Sequence, residues 1–384
     1  MIASVATYFD HNGTTVIDPR VLGAMLPYLS NQYGNATSRH VYGRASRQAI
    51  DRAREQVADA VGAHPTQVVF TGSGTESNNL AITGIANSNQ AAAISISAIE
   101  HPCVTRPALA MQQRGHRLNM IAVNEHGKLD MDALKTRLDM PTVLVSVMLA
   151  NNETGVIQNI AEIAEITRKH GALMHTDAVQ ALGKIKVDFS DLNVHAMTLS
   201  SHKINGPQGA GALILDKRVD IQPILLGGGQ EKGLRSGTEN VAAIVGFGAA
   251  CELVSRELLQ RTATLRQMRD QLETGIRELG AVVFGASTER LPNTSFFAFP
   301  GIEGETLVMA LDRKGYAVAS GSACSSDSTE PSHVLLAMGV EPDLARGAVR
   351  VSLGSGNSME QINGFLMTLK NELTRLRQLT AIAV

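Results

Sequence analysis

Cysteine is scarce in this sequence of 384 residues, and the three cysteines are Cys103, Cys251 and Cys324. Their number is odd, they lie far apart, and no C-x-x-C pair is present, so the sequence indicates neither a disulfide framework nor a cysteine zinc site. Free thiols of this kind fit a reducing compartment, and a cytoplasmic location is therefore expected.

A charge excess and a long apolar run are also lacking. Lysine and arginine number 34 against 36 aspartate and glutamate residues, a net charge of −2, so bulk charge would hold the protein neither to nucleic acid nor to a membrane surface. The most apolar segment, 241–254, is shorter than the roughly 18 to 20 residues that a membrane-spanning helix needs. Because residues 1–13 contain no basic region before an apolar stretch, no signal peptide is expected.

Short apolar runs alternate with segments of helical period from about residue 45 to residue 215. The runs are predicted strands at 67–71, 92–97, 118–123, 143–149, 172–175, 196–199 and 211–215. Helices are predicted between them, among others at 45–61, 75–87, 103–114 and 160–170. This alternation is typical of βαβ units, and it predicts an α/β fold with a mostly parallel seven-stranded sheet. A mainly helical protein is the alternative.

The pattern changes after residue 237. A long helix is predicted from 239 to about 279, followed by short strands at 282–284, 294–299, 318–320 and 349–353 with helices between them. This mixture is typical of an α+β domain. We therefore predict a large α/β domain at 16–255 and a smaller α+β domain formed by 1–15 and 256–384, with a pocket where the two meet.

A glycine-containing loop, residues 71–79, separates a predicted strand from a predicted helix. The backbone amides at the start of that helix, with the hydroxyls of Thr75 and Ser77 nearby, suit a phosphate dianion. The loop matches neither the nucleotide-binding G-x-x-x-x-G-K-[ST] pattern nor G-x-G-x-x-G. A plain glycine turn with a helix cap is the alternative.

Two charged side chains follow neighbouring predicted strands. Asp177 lies at the end of one run and Lys203 after the next, and the carboxyl ends of parallel strands share one edge of a sheet. A carboxylate that pairs with a protonated pyridine nitrogen and a lysine that bonds to an aldehyde are what a pyridoxal phosphate enzyme must supply. Individually, Asp177 could be a helix cap and Lys203 a surface amine.

In its motifs the chain resembles the cysteine desulfurases of the NifS/IscS type, which are fold-type-I pyridoxal phosphate enzymes of the class V aminotransferase group. The matching motifs are YFDHNGTT (8–15), GNATS (34–38), EHP (100–102), NNETG (151–155), DAVQ (177–180), SHK (201–203), GGGQ (227–230), RSGT (235–238), SGSAC (320–324) and Arg350. One departure is Gly13, where the family commonly has alanine.

The resemblance implies roles at a pyridoxal 5'-phosphate site. Lys203 would hold the cofactor and move protons, and Asp177 would keep the ring nitrogen protonated. His101 would stack on the ring and assist proton transfer, although it could instead be a histidine that starts a helix. The other implied cofactor contacts are Gly74, Thr75, Asn152, Gln180, Ser200 and His202, with Thr238 supplied by the neighbouring subunit of a homodimer.

The resemblance also implies how the substrate L-cysteine is bound. Arg350 would receive its α-carboxylate, flanked by Asn35 and Asn152. A structural salt bridge is the alternative for Arg350, because a charge in a predicted strand needs a partner.

Cys324 is the implied nucleophile. It lies in a stretch of small and polar residues, 321–330, which predicts a mobile surface loop. Attack by its thiolate on the substrate sulfur would leave a persulfide and release L-alanine, and the sulfur would pass to an iron–sulfur scaffold protein, with nitrogenase maturation as one use that the resemblance implies. The resemblance leaves open a transient iron–sulfur cluster on Cys324. Cys103 and Cys251 are interpreted as small buried hydrophobes.

Other functions remain open on the sequence. Within the same group, the chain could be a selenocysteine lyase or an aminotransferase. From a different class, it could be an inactive homologue that serves only as a partner in sulfur assembly. The presence of Lys203, Asp177 and Cys324 argues against that last alternative.

Overall fold

The computed structural model describes residues 6–321 and 330–382, with side chains through residue 378. The strands in these residues are β1 (Thr7–Tyr8), β2 (Val68–Thr71), β3 (Ala93–Ser97), β4 (Arg117–Ile121), β5 (Thr142–Ser146), β6 (Leu173–Asp177), β7 (Ala196–Ser200), β8 (Gly211–Leu215), β9 (Val282–Val283), β10 (Thr294–Ala298), β11 (Tyr316–Ala317), β12 (Ala319–Ser320) and β13 (Ala348–Ser352).

The helices alternate with these strands through the first two thirds of the chain. They are α1 (Pro19–Ser30), α2 (Val41–Ala60), α3 (Gly74–Asn87), α4 (Pro102–Gln112), α5 (Met131–Leu138), α6 (Ile160–Lys169), α7 (Phe189–Leu192), α8 (Val241–Glu278), α9 (Gly304–Asp312), α10 (His333–Ala337), α11 (Pro342–Arg346) and α12 (Met359–Ile382). Single 3₁₀ turns occur at Pro65–Gln67, Ser201–Lys203 and Glu231–Gly233.

The central sheet has seven strands in the order β2-β8-β7-β6-β5-β3-β4. Strand β8 runs antiparallel to both neighbours, and the other neighbouring pairs are parallel. Every residue of β2, β3, β7 and β8 is buried, as expected for a sheet covered on both faces. The predicted α/β fold with a mostly parallel seven-stranded sheet is therefore confirmed.

A second sheet has the antiparallel order β12-β13-β10-β9, and the N-terminal β1 pairs with β11 in a separate two-stranded sheet. The long helix α8 connects the two parts of the fold. Its first half packs into the largest apolar cluster, whereas Leu265, Met268, Leu272 and Ile276 pack with Phe9 in a second cluster. This packing supports the division into 16–255 and 1–15 with 256–384, which we keep as a proposal.

The apolar segment 241–254 forms the first third of α8, and most of its residues are buried. In the part of the chain that the structure describes, no helix combines the length and the apolar character needed to cross a bilayer.

Candidate active site

A cavity of about 800 Å³ opens at the carboxyl ends of β2, β3, β5, β6 and β7. Ten of the predicted site residues line it: Gly74, Thr75, His101, Asn152, Asp177, Gln180, Ser200, His202, Lys203 and Arg350. Asn35 and Thr238 are described and exposed but do not line the cavity. Cys324, also predicted as a transient cluster ligand, lies outside the described residues.

One wall of the cavity is the start of helix α3. Ser73 caps the helix by accepting a hydrogen bond from the backbone N–H of Glu76 at 3.1 Å, so the predicted cap is present. A Cβ atom at Gly74 would lie 3.0 Å from Val179 Cγ2 and 3.2 Å from Ser200 Cβ, which explains why glycine fits here. The buried Ser200 hydroxyl has no hydrogen-bond partner among the described residues. An unpaired hydroxyl beside a helix N-terminus fits a phosphate group.

Asp177 ends strand β6 on the floor of the cavity and is 6% exposed. Its carboxylate accepts hydrogen bonds from Asn78 Nδ2 at 2.7 Å and from the backbone N–H of Val179 at 2.9 Å. Burial raises the pKa of Asp177, because its charge is removed from water. A buried carboxylate of this kind is stabilised by a cation placed against it, and a protonated pyridine nitrogen is such a cation.

Lys203 follows the neighbouring strand β7 in a 3₁₀ turn. Since β6 and β7 are adjacent and parallel, Asp177 and Lys203 emerge at the same edge of the sheet. The Nζ atom of Lys203 donates to the backbone oxygens of Asn12 at 2.6 Å and Gly13 at 2.5 Å. The structure thus brings the predicted amine and carboxylate into one cavity.

His101 caps helix α4 and also lines the cavity. The two roles considered for it, helix-start residue and site residue, are therefore both compatible with its position. Its Nδ1 accepts a hydrogen bond from the backbone N–H of Cys103 at 3.2 Å. Burial lowers the pKa of His101, which keeps the imidazole neutral near pH 7. A neutral, flat ring suits a contact with an aromatic cofactor.

His202 lies beside Lys203 at the same edge. Its Nδ1 is 3.0 Å from the hydroxyl of Thr14. Burial lowers the pKa of His202 to about 4, with the charges of Lys203 and Lys184 adding to the effect. The ring is therefore neutral at pH 7, and it can serve as a hydrogen-bond donor rather than as a cation.

Arg350 projects from β13 into the cavity and is 5% exposed. It donates to the backbone oxygen of Asn152 at 3.1 Å and to Asp10 Oδ1 at 2.6 Å. The salt bridge considered as the alternative role is therefore present. The guanidinium is nevertheless at the cavity wall, where it can also receive a carboxylate.

The sequence reasoning missed several polar residues around these groups. The prediction of a small buried hydrophobe is right for Cys251, which is fully buried, and wrong for Cys103, which lines the cavity. The Cys103 sulfur lies 2.8 Å from His101 Nδ1 and accepts from Asn78 Nδ2 at 3.0 Å. Asn78 is one helical turn after Gly74, and this spacing was the available signal.

The segment 227–238, which carries Thr238, is attached to α2 by a buried ion pair and to β2 by a backbone hydrogen bond. Arg54 donates to both carboxylate oxygens of Glu231 at 2.6 and 2.7 Å, and the backbone N–H of Phe70 donates to the same carboxylate at 2.8 Å. Glu231 has a φ of +46°, an uncommon angle outside glycine, which the three hydrogen bonds stabilise.

No group of three or more histidine, cysteine, aspartate or glutamate side chains that could hold a metal ion is found within residues 6–321 and 330–382. The polar groups of the cavity are instead the hydroxyl, amide, amine and carboxylate groups described above. Their chemistry suits an organic cofactor with a phosphate and a protonated ring.

Comparison with known proteins identifies the family. A family model for aminotransferase class-V matches residues 7–365, and the chain belongs to that family. It is 41% identical over 378 residues to cysteine desulfurase IscS 1 of Archaeoglobus fulgidus, covering 98% of this chain and 99% of the relative. Within the class V family it is therefore a cysteine desulfurase, a group that depends on pyridoxal phosphate.

Solved structures agree with this assignment. A NifS-like protein matches with a TM-score of 0.91 at 36% identity, covering 96% of this chain and 99% of that one. SspA in complex with cysteine matches with a TM-score of 0.81 at 31% identity, covering 90% and 98% of the two chains. The resemblance inferred from the sequence motifs is confirmed.

Proposed function

We propose that this chain binds pyridoxal phosphate, removes the sulfur atom of L-cysteine, releases L-alanine and passes the sulfur through a persulfide on Cys324 to an iron–sulfur scaffold protein. The observation that carries the proposal is the meeting of Lys203, Asp177 and Arg350 in one cavity. An amine, a buried carboxylate and a guanidinium are the groups that this chemistry needs together. The related SspA structure holds cysteine.

Pyridoxal phosphate, when bound, withdraws electrons from the α-carbon of an amino acid through its protonated ring. The residues present fit this group. The helix α3 N-terminus with the Ser200 hydroxyl would hold the phosphate, joined by Thr75 and the neutral His202. Asp177 would accept a hydrogen bond from the protonated ring nitrogen.

The remaining side chains would act on the substrate and the ring. Gln180 and Asn152 would orient the ring oxygen, and His101 would cover one face of the ring. The Lys203 amine would take a proton at the substrate α-carbon and return one to the product. Arg350 would bind the substrate α-carboxylate, which fixes the α-carbon next to Lys203.

Sulfur transfer would use the Cys324 thiolate. Its sulfur attacks the substrate sulfur, an S–S bond forms, and the bond between the substrate sulfur and the β-carbon breaks with its electron pair moving to the carbon. Protonation at that carbon completes the methyl group of L-alanine. The persulfide then transfers its outer sulfur to an acceptor thiol, and Cys324 also remains the proposed site of any transient cluster.

Isotopic labelling tests the proposal. The holoenzyme is incubated with sulfur-labelled L-cysteine, and mass spectrometry of peptides identifies the thiol that gains one sulfur atom. We expect label on Cys324, and we expect Cys324→Ser to lose sulfide release while keeping the cofactor absorbance. Cys251→Ala is the matched control, because Cys251 is fully buried away from the cavity. Sulfide release persisting in Cys324→Ser would refute the persulfide step, and a keto acid product would indicate an aminotransferase.

We also propose that the enzyme is a cytoplasmic homodimer in which Thr238 serves the neighbouring site. Thr238 is exposed and lies outside the cavity of its own chain. Large apolar side chains are exposed on the described surface, including Tyr33 at 69%, Tyr42 at 51% and Leu226 at 83%, which is typical of a protein interface.

Subunit mixing tests the shared site. A hybrid of Lys203→Ala and Thr238→Ala subunits contains one site with both residues intact if Thr238 acts across the interface. We expect activity to reappear on mixing the two inactive variants. No recovery in a verified hybrid would mean that Thr238 does not act in the partner's site.

A further inference from the structure

Asp10 forms an ion pair with the arginine of the cavity wall. Arg350 donates to Asp10 Oδ1 at 2.6 Å, and both residues line the cavity. The Arg350 side chain is 6% exposed and that of Asp10 is 28% exposed. The pair therefore lies where the cavity meets its opening, and the carboxylate is the more accessible partner.

The Asp10 carboxylate lies so close to Gly13 that any side chain at that position would have to displace it. A Cβ atom at Gly13 would lie 2.4 Å from Asp10 Oδ2 and 2.9 Å from Asp10 Cγ. The turn between them is held by a hydrogen bond from Gly13 N to the backbone oxygen of Asp10 at 2.9 Å. The Tyr8 hydroxyl lies 3.0 Å from the same backbone oxygen of Asp10 and 3.1 Å from the backbone oxygen of Thr14, so its single proton can be donated to either end of the turn.

We propose that Asp10 is a specificity-determining residue that competes with the substrate α-carboxylate for Arg350, and that Gly13 provides the space in which it does so. This inference rests on the proposed function, because it takes Arg350 as the carboxylate-binding group. The remaining contacts of the guanidinium support it. Its NH1 donates to Asn152 O at 3.1 Å, and its Nε is buried with no hydrogen-bond partner among the described residues.

Two effects of Asp10 act in the same direction. A second carboxylate brought to one guanidinium meets the negative charge of the first, which weakens its binding. Moreover, the ion pair with Asp10 stabilises Arg350 before substrate arrives, and that stabilisation is lost when the substrate carboxylate replaces it. Asp10 therefore weakens the binding of amino acids to Arg350. It has no such effect on an amine that lacks a carboxylate.

The test compares two ligands of the holoenzyme, L-alanine and cysteamine, of which only L-alanine has a carboxylate. Their dissociation constants are measured from the change in cofactor absorbance, and melting temperatures are recorded with and without L-alanine. We expect Asp10→Asn to bind L-alanine about fivefold more tightly. We expect its affinity for cysteamine to change by less than about twofold, and L-alanine to raise its melting temperature more than that of the parent.

Gly13→Ala changes the geometry and keeps both charges. Its added methyl group displaces the Asp10 carboxylate, so L-alanine binding should tighten in this variant also, which keeps the proposal testable if Asp10→Asn does not fold. Asp132→Asn is the matched control, because Asp132 is 94% exposed and lies outside the cavity.

Unchanged or weaker L-alanine binding in Asp10→Asn or Gly13→Ala would overturn the proposal, as would an equal change for both ligands. The proposed role of Arg350 in binding the substrate carboxylate is tested separately with Arg350→Lys. If that variant binds L-alanine and cysteamine with unchanged affinities, the assignment of Arg350 to the substrate carboxylate fails, whatever Asp10 does.

Discussion

Glu100 offers a test of the electrostatics beneath the cavity. Its side chain is 1% exposed, and one carboxyl oxygen accepts hydrogen bonds from Ser97 Oγ at 2.5 Å and Met148 N at 2.7 Å. The other oxygen is buried and has no hydrogen-bond partner in the described part of the chain. Burial raises the pKa of Glu100 from 4.5 to about 8, and the charge of Asp177 adds to the rise. The carboxyl is therefore protonated at pH 7.

The sign of the pH dependence follows from this rise in pKa. The folded chain holds the Glu100 proton more tightly than the unfolded chain, so the stabilisation is complete below pH 4.5 and is lost as the pH rises through 8. A separation of about 3.5 pH units at about 1.4 kcal/mol each amounts to about 5 kcal/mol once the carboxyl is ionised.

Glu100→Gln removes this titration and keeps the shape of the side chain. Relative to the parent, we expect its free energy of unfolding to rise by about 1.4 kcal/mol per pH unit between pH 5 and pH 8 and to level off above pH 8. Urea unfolding midpoints of both holoenzymes at pH 5 to 9 measure the difference. Ser97→Ala removes a hydrogen bond that lowers the pKa of Glu100. In the Ser97→Ala background, the stability difference made by Glu100→Gln should therefore level off at a higher pH. If the difference in unfolding free energy between Glu100→Gln and the parent stays constant from pH 5 to pH 9, the pKa of Glu100 is not raised by folding.

Two further predictions concern the cofactor loop and the segment near Thr238. Gly74→Ala should weaken reconstitution with pyridoxal phosphate at least about tenfold, because its methyl group enters the space beside Ser200. Gly23→Ala is the control and should leave reconstitution unchanged, because its Cβ meets nothing within 4 Å. Equal effects of the two substitutions would contradict this prediction. Arg54→Met and Glu231→Gln should each lower the unfolding free energy by about 3 to 5 kcal/mol, and the double variant by less than their sum, measured by urea unfolding. Additive losses would show that the two residues are not coupled.

The central sheet could be predicted because its strands are short apolar runs between helical segments, and each predicted run contains or overlaps one observed strand. The positions of Asp177 and Lys203 follow from the same pattern, since polar residues at the ends of parallel strands meet at one edge. Helix α1 was not singled out, and it contains Pro27 and Gly23, two residues that disfavour a helix interior.

The contacts within the cavity could not be predicted, because they join residues far apart in sequence. Cys103 lies on a helix and carries no local sign of its contacts with His101 and Asn78. The sequence shows only that glycine stands at position 13, where the related family commonly has alanine. Its meaning depends on the distance to a single carboxylate oxygen, which only the folded turn determines.

A buried lysine explains how the polar groups around Lys203 acquire a fixed direction. Lys184, 6% exposed, donates to Gln180 Oε1 at 2.7 Å and Asn12 Oδ1 at 3.1 Å. Because an ammonium or amine nitrogen engages both amide oxygens, the amide nitrogens must point elsewhere, and they donate to the backbone oxygens of Asn12 and Asn152. The backbone oxygen of Asn12 also accepts a hydrogen bond from Lys203 Nζ. Lys184 thus determines which atoms of Gln180 and Asn12 can be donors, and this order links residues 12, 180 and 203 before any ligand binds.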